Sequence, residues 1–163
     1  MKIISRVLLG LILLLLLSVA VAFLAVRGSL PVLDGERPAA GLEGETVIER
    51  DALGAVTVTG HSRADVAFAT GYVHAQDRFF QMDLSRRMSG GRLSELVGDA
   101  AMDMDAGQRI HRFRDVAERV YAQLAPAEKS LLDAYARGVN AGLDSLRVRP
   151  FEYLLLRQRP EPW

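Results

Sequence analysis

The sequence predicts an α+β fold: an N-terminal apolar helix, a β-hairpin, then several packed helices. Three observations predict it. An apolar run fills Val7 to Val26, two β-branched stretches flank a turn at Asp51–Gly54, and apolar residues recur at helical spacing from Phe68 onward. The chain has 163 residues, no cysteine and a formal net charge of zero. Thiol catalysis, thiolate metal sites and disulfides are therefore excluded within it.

Residues 1–27 form the first unit, a signal anchor or transmembrane helix. The run from Val7 to Val26 is interrupted only by Gly10 and Ser18. About 20 residues at ~1.5 Å each span roughly 30 Å, the thickness of a bilayer's hydrocarbon core. Lys2 and Arg6 precede it, so the positive-inside rule keeps the N-terminus cytoplasmic and exports the rest. Ala20-Val21-Ala22 has the form of a signal-peptidase site, but the apolar run continues past it to Val26. A cleavable core is shorter, about 7–15 residues. The expectation is a single-pass inner-membrane protein, anchored by residues 7–26, with its folded part in the periplasm. Cleavage and release into the periplasm is the alternative. Past residue 27 there remain 17 basic and 20 acidic residues with no basic block, so no nucleic-acid partner is expected.

Residues 28–45, GSLPVLDGERPAAGLEGE, are rich in glycine, proline and acids and read as a linker. In Thr46–Gly60, the stretches TVIER and AVTVT flank a turn with glycine at its last position, and Val56 and Val58 alternate with threonines. Ser62 and Asp65 have the spacing of a capping box with the shorter acid. Behind them Phe68, Tyr72, Ala75, Phe79 and Met82 form one helical stripe, with Ala69, Val73, Phe80 and Leu84 beside it. A helix apolar over that much of its circumference is buried, and Gly90-Gly91 ends it. After a short turn from Arg92 to Val97, one amphipathic helix is expected to carry Ile110, Phe113, Val116, Val120 and Leu124. Pro126 opens the next, with Leu132, Tyr135, Val139, Leu143 and Leu146 on one face and Gly138 and Gly142 permitting close helix approach. RPFEYLLLRQRPEPW, apolar and then broken by prolines, completes the folded unit 46–163.

The stretch GYVHAQDRFFQMDLSRR collects His74, Asp77 and Ser85, the residue types of a hydrolytic triad. On one helix His74 and Ser85 lie about 16 Å apart along the axis. A nucleophile and its base need contact at ~3 Å, so no self-contained triad is expected. Gln76, Asp77 and Arg78 read instead as polar residues of a buried helix, bonded to neighbouring backbone. The histidines His61, His74 and His111 share no metal-ligand spacing. Asp99, Asp103, Asp105 and Gly107 miss the positions of a calcium loop, leaving a capped loop before the Ile110 helix. GGRLSELVG lacks the preceding strand a phosphate cradle needs, and there is no Walker or GxGxxG motif. No catalytic, cofactor-binding or metal-binding residue is assigned within the chain.

The order of segments IERDALGAVTV, GYVHAQDRFFQMDLSRR, GRLSELVG, LLDAYARGVNAGLD and PEPW resembles the start of a penicillin acylase (penicillin amidase) family precursor, over Thr46–Trp163. The resemblance implies an N-terminal-nucleophile hydrolase with a four-layer αββα sandwich, exported as a precursor that cuts itself into an A and a B chain. The new N-terminal serine of the B chain would be the nucleophile, its own amine, titrating near 7.7–8.0, the base. Substrates would be small-molecule amides: β-lactam side chains or acyl-homoserine lactones. None of the chain's serines fits that role, so the chain is expected to be an N-terminal A-chain part that is inactive alone and partnered by the B chain of the same precursor. Any structural calcium and the acyl pocket would lie past Trp163. Val56-Thr57 stands where the family commonly has Pro-His. The competing expectation is a non-catalytic, membrane-tethered helical module for binding or scaffolding.

Overall fold

The computed structural model describes residues 2–163; Met1 and the side chain of Lys2, one of the charges behind the expected topology, lie outside the description. Helix α1 runs from Lys2 to Ser29 and fits the apolar run. It is long and apolar enough to cross a membrane, and none of its most apolar stretch is buried against the rest of the protein. Residues 30–46 have no helix or strand, yet they lie along the folded part: the Glu43 N–H donates to the Asp65 carboxylate at 2.7 Å and Arg37 reaches the Ser145 carbonyl.

Strands β1 (Val47–Arg50) and β2 (Val56–Thr59) pair antiparallel, with Ile48 opposite Val58 and Arg50 opposite Val56. The Asp51 carboxylate accepts from the Leu53 and Ala55 N–H groups, and Gly54, at φ 81°, closes the turn. Only glycine takes that left-handed conformation freely. One face of the hairpin, with Ile48, Arg50, Val56 and Val58, is half-buried; the other is exposed.

Helix α2 (Arg63–Gly90) begins as the sequence requires: Ser62 Oγ accepts from the Asp65 N–H while the Asp65 carboxylate accepts from the Ser62 N–H, both at 3.1 Å. It is not one straight rod. Arg78 (φ −154°, ψ 31°) leaves the helical region and kinks it. Gly91, in the left-handed region, caps its end, and the Arg92 N–H returns to the Arg87 carbonyl at 2.8 Å. Helix α3 (Ser94–Val97) leads through a 3₁₀ turn (Gly98–Ala101) to α4 (Met102–His111) and α5 (Phe113–Gln123).

The single amphipathic helix expected around Ile110–Leu124 is thus two. Arg112, at φ 52°, breaks it, held by its ion pair to Asp115, while His111 stacks on Phe113 with ring centroids 5.2 Å apart. The expected capped loop before Ile110 is helix α4 itself. No residue of α5 is buried.

Helix α6 (Pro126–Asp144) starts on Pro126, and the Glu128 carboxylate accepts from the Ala125 N–H. It packs on α2 at glycine contacts. A Cβ on Gly138 would sit 1.9 Å from the Phe68 carbonyl oxygen, one on Gly71 2.2 Å from that of Tyr135, and one on Gly142 2.4 Å from that of Tyr72. The close approach expected of Gly138 and Gly142 is present. Of the expected α6 face, Val139 is fully buried and Tyr135 and Leu143 are half-buried, but Leu132 is exposed and Leu146 lies beyond the helix end. The core gathers Ala75, Phe79, Leu96, Val139 and Tyr153, the last from α7 (Phe151–Leu155). Fully burying Phe79 or Tyr153 contributes on the order of 2 kcal/mol each.

Candidate functional site

The three triad residue types on α2 are engaged elsewhere, each with a different partner. His74 Nδ1 lies 3.0 Å from the Tyr135 hydroxyl, with the rings edge to face. The Ser85 hydroxyl donates to the Gln81 carbonyl within its own helix. Asp77 is exposed and takes both guanidinium nitrogens of Arg50, at 2.8 and 3.0 Å. The backbone-bonded, buried reading of Asp77 and Arg78 therefore gives way to a side-chain clamp between hairpin and helix. Asp77 and Arg78, at the kink, are both exposed, and Arg50 of β1 reaches Asp77 there. Because both partners are partly solvated, removing either side chain is expected to cost under about 1 kcal/mol. A double-mutant cycle on Arg50→Ala and Asp77→Ala, read by thermal unfolding, checks this.

The buried polar residues of α2 are Asp65, Asp83 and Arg87. Asp83 is fully buried and its carboxylate receives four groups. The Tyr153 hydroxyl donates to Oδ2 at 2.6 Å and Arg87 Nε at 2.9 Å; Arg86 Nη2 and Nε donate to Oδ1 at 2.7 and 3.1 Å. Burial pushes the Asp83 pKa up, but the hydrogen bonds from Tyr153, Arg87 and Arg86 outweigh it and hold the carboxyl below its ordinary range. The Tyr153 phenol is driven the other way, by burial first and then by its bond to the Asp83 carboxylate, far above its ordinary value. Tyr153 is thus a permanent donor and Asp83 a permanent acceptor.

The network runs outward from Arg87, which pairs with Glu95 and Glu161. Arg92 binds the same two acids, at 2.8 and 3.1 Å. The final segment is held by these groups: Arg86 donates to the Pro162 carbonyl at 2.7 Å and its guanidinium lies 4.8 Å from the Trp163 ring centroid. Asn140 completes the grip, its side-chain oxygen accepting from the Trp163 N–H at 2.7 Å. GYVHAQDRFFQMDLSRR, GRLSELVG, YARGVNA and PEPW are therefore pieces of one charge network.

Of the acidic residues Asp99, Asp103 and Asp105, the last has a structural role. Asp105 is buried in α4, and its carboxylate accepts from the Leu93 and Ser94 N–H groups, at 2.8 Å each, where α3 begins. Burial raises its pKa, but the bonds from Ser94 and Leu93 prevail and lower it. Among the described residues no three histidine or acidic side chains converge on a metal position. Asp83 and Asp105 are instead each bonded by protein donors.

Taken together, the described residues define an α+β scaffold, mostly helical with a two-stranded sheet, in which His74 bonds to Tyr135 and not to a serine. The penicillin amidase family model matches residues 45–163, and the chain belongs to that family. It is 40% identical over 139 residues to the penicillin acylase 2 proenzyme of Pseudomonas sp. (strain SE83), covering 85% of this chain and 18% of that protein. It is 39% identical over 136 residues to the acyl-homoserine lactone acylase QuiP of Pseudomonas aeruginosa, covering 83% of this chain and 16% of that one. The thermostable penicillin G acylase from Alcaligenes faecalis superposes with a TM-score of 0.66 at 31% identity, over 73% of this chain and 65% of that chain. The chain thus spans less than a fifth of the length of these curated relatives.

Proposed function

We propose that the whole protein is an exported acylase that hydrolyses the amide bond of N-acyl compounds, and that this chain supplies part of its A-chain scaffold. The observation that carries the reading is the family match over residues 45–163 together with relatives that are penicillin and acyl-homoserine lactone acylases. The nucleophile would be the N-terminal serine of a B chain in the part of the precursor that this chain does not span, its α-amine acting as base near neutral pH. Hairpin and helices would then form part of an αββα sandwich. The exposed apolar side chains of α4 and α5, with Ile110 79%, Phe113 50% and Val120 53% accessible, suit a face covered by the rest of the precursor. Residues 7–26 would anchor the protein in the inner membrane, the folded part lying in the periplasm.

The test is made on the full-length precursor, assayed with phenylacetyl and long-chain acyl amides. Replacing the serine at the start of the processed second chain by alanine is expected to leave one uncut polypeptide with no amidase activity. Turnover by the alanine variant would refute the reading.

A further inference from the structure

The end of α1 is not free of the folded part. The Val148 N–H donates to the Gly28 carbonyl at 3.0 Å, and a Cβ on Gly28 would meet Val148 Cγ2 at 2.7 Å. Ser29 is buried, at 8% accessible. Gly28 is only two residues past Val26, where the apolar run ends, an axial step of about 3 Å. The polar layer of a bilayer beyond its hydrocarbon is thicker than that, roughly 5–8 Å on each side. If α1 spans a bilayer, the segment around Val148 therefore lies within the headgroup layer rather than at the end of a long tether.

The chemistry of that segment fits such a place. Residues 145–159, SLRVRPFEYLLLRQR, carry four arginines and one glutamate, whereas the chain past residue 27 is slightly acidic overall. Arg147, Arg157 and Arg159 are exposed, and among the described residues none of them makes an ion pair. Arg149 lines a cleft of about 550 Å³ with Asn140, Asp144 and Leu146, and its Nε is buried with no acceptor. Leu155 is 76% accessible, and Leu30 and Leu33 on the adjoining strip are exposed as well. Arginines interleaved with outward apolar side chains, continuous with a spanning helix, form a surface for anionic lipid headgroups.

We infer that the face built from residues 28–33 and 145–159 rests on the membrane surface and binds anionic lipid headgroups, fixing the orientation of the folded part on the bilayer. This rests on reading α1 as a membrane anchor, and the test separates the two. Residues 1–163 contain no cysteine, so single nitroxide labels can be placed at Leu14→Cys, Leu53→Cys and Leu155→Cys in the full-length protein once any cysteine outside these residues is replaced by serine. Vesicles of phosphatidylcholine, with or without phosphatidylglycerol, then report label depth by oxygen and nickel-chelate collisions. The expected result is Leu14 in hydrocarbon, Leu53 at the hairpin tip in water, and Leu155 at headgroup depth, most fully with phosphatidylglycerol present. Changing Arg147, Arg157 and Arg159 together to glutamine should weaken the contact about 100-fold, at ~1 kcal/mol per arginine. Leu14 in hydrocarbon with Leu155 as aqueous as Leu53 in both lipids overturns the surface contact alone. Leu14 in water overturns the anchor and this inference with it.

Discussion

Replacing Asp83 with alanine is expected to destabilise the fold by about 3–5 kcal/mol, the cost of leaving a buried charge without its partner. Arg87, 3% accessible, would keep only Glu95 and Glu161, both at the outer end of its guanidinium. The Tyr153 hydroxyl, itself fully buried, would lose its acceptor. Asp83→Asn keeps the shape and removes the charge, so its loss should be smaller but of the same sign. Tyr153→Phe should cost about 1–3 kcal/mol and couple to Asp83 in a double-mutant cycle. Thermal unfolding of the full-length protein reads all three; an Asp83→Ala variant as stable as the parent would mean that the network does not hold the core.

The same network sets the pH limits. The pKa of Asp83 is lowered from 3.8 on folding, so its contribution is present above that value and is lost as pH falls through the lower, folded value. Asp65 follows the same sign, its carboxyl held down first by the Glu43 N–H and then by its capping partners. For Tyr153, raised above 10.0, stability is present below pH 10.0 and is lost as pH rises toward the folded value. Unfolding should therefore advance on acidification below about pH 4 and on raising the pH above about 10, and Asp83→Asn should flatten the acid limb.

Gly138→Ala carries the second large effect. The added Cβ would stand 1.9 Å from the Phe68 carbonyl oxygen, a backbone atom of the facing helix that no side-chain rotation can move. Helices α2 and α6 must separate, loosening the neighbouring contacts at Gly71 and Gly142. A cost of about 3 kcal/mol is expected, the upper end of overpacking in a core. Gly107→Ala is the matched control: it lies inside α4 with nothing within 4 Å of the added carbon. There the change should stabilise by roughly 0.5–1 kcal/mol, from helix propensity alone. Equal effects at the two positions would contradict the packing.

What the sequence disclosed was the part that local chemistry decides. The hairpin turn, the Ser62–Asp65 capping box, the Gly91 cap and the glycine contacts of α6 depend on residues within a few positions of one another or on the smallness of glycine. Asp83 and Arg87 escaped notice because an i, i+4 charge pair on a helix usually faces water. Their partners Tyr153 and Glu161 arrive some 70 positions later in the chain. The kink at Arg78 and the break at Arg112 carry no glycine or proline to announce them. Asp105 looked like a loop residue because its partners, the Leu93 and Ser94 N–H groups, lie across a turn of chain rather than beside it. The separation of His74 from Ser85 was legible from axial spacing, and the two bond to Tyr135 and to the Gln81 carbonyl.

GYVHAQDRFFQMDLSRR supplies the centre of the charge network. Its acidic and basic residues lock α2 to α3, α7 and the Pro160–Trp163 segment, while the proposed reaction would belong to a serine outside residues 1–163. The most direct test is to label the full-length protein with a serine-directed sulfonyl fluoride and to locate the label by mass spectrometry of its peptides. The label is expected on a serine that becomes the N-terminus of a second chain, and on none of residues 1–163. A label on Ser85, or on any other serine of this chain, would contradict the proposal.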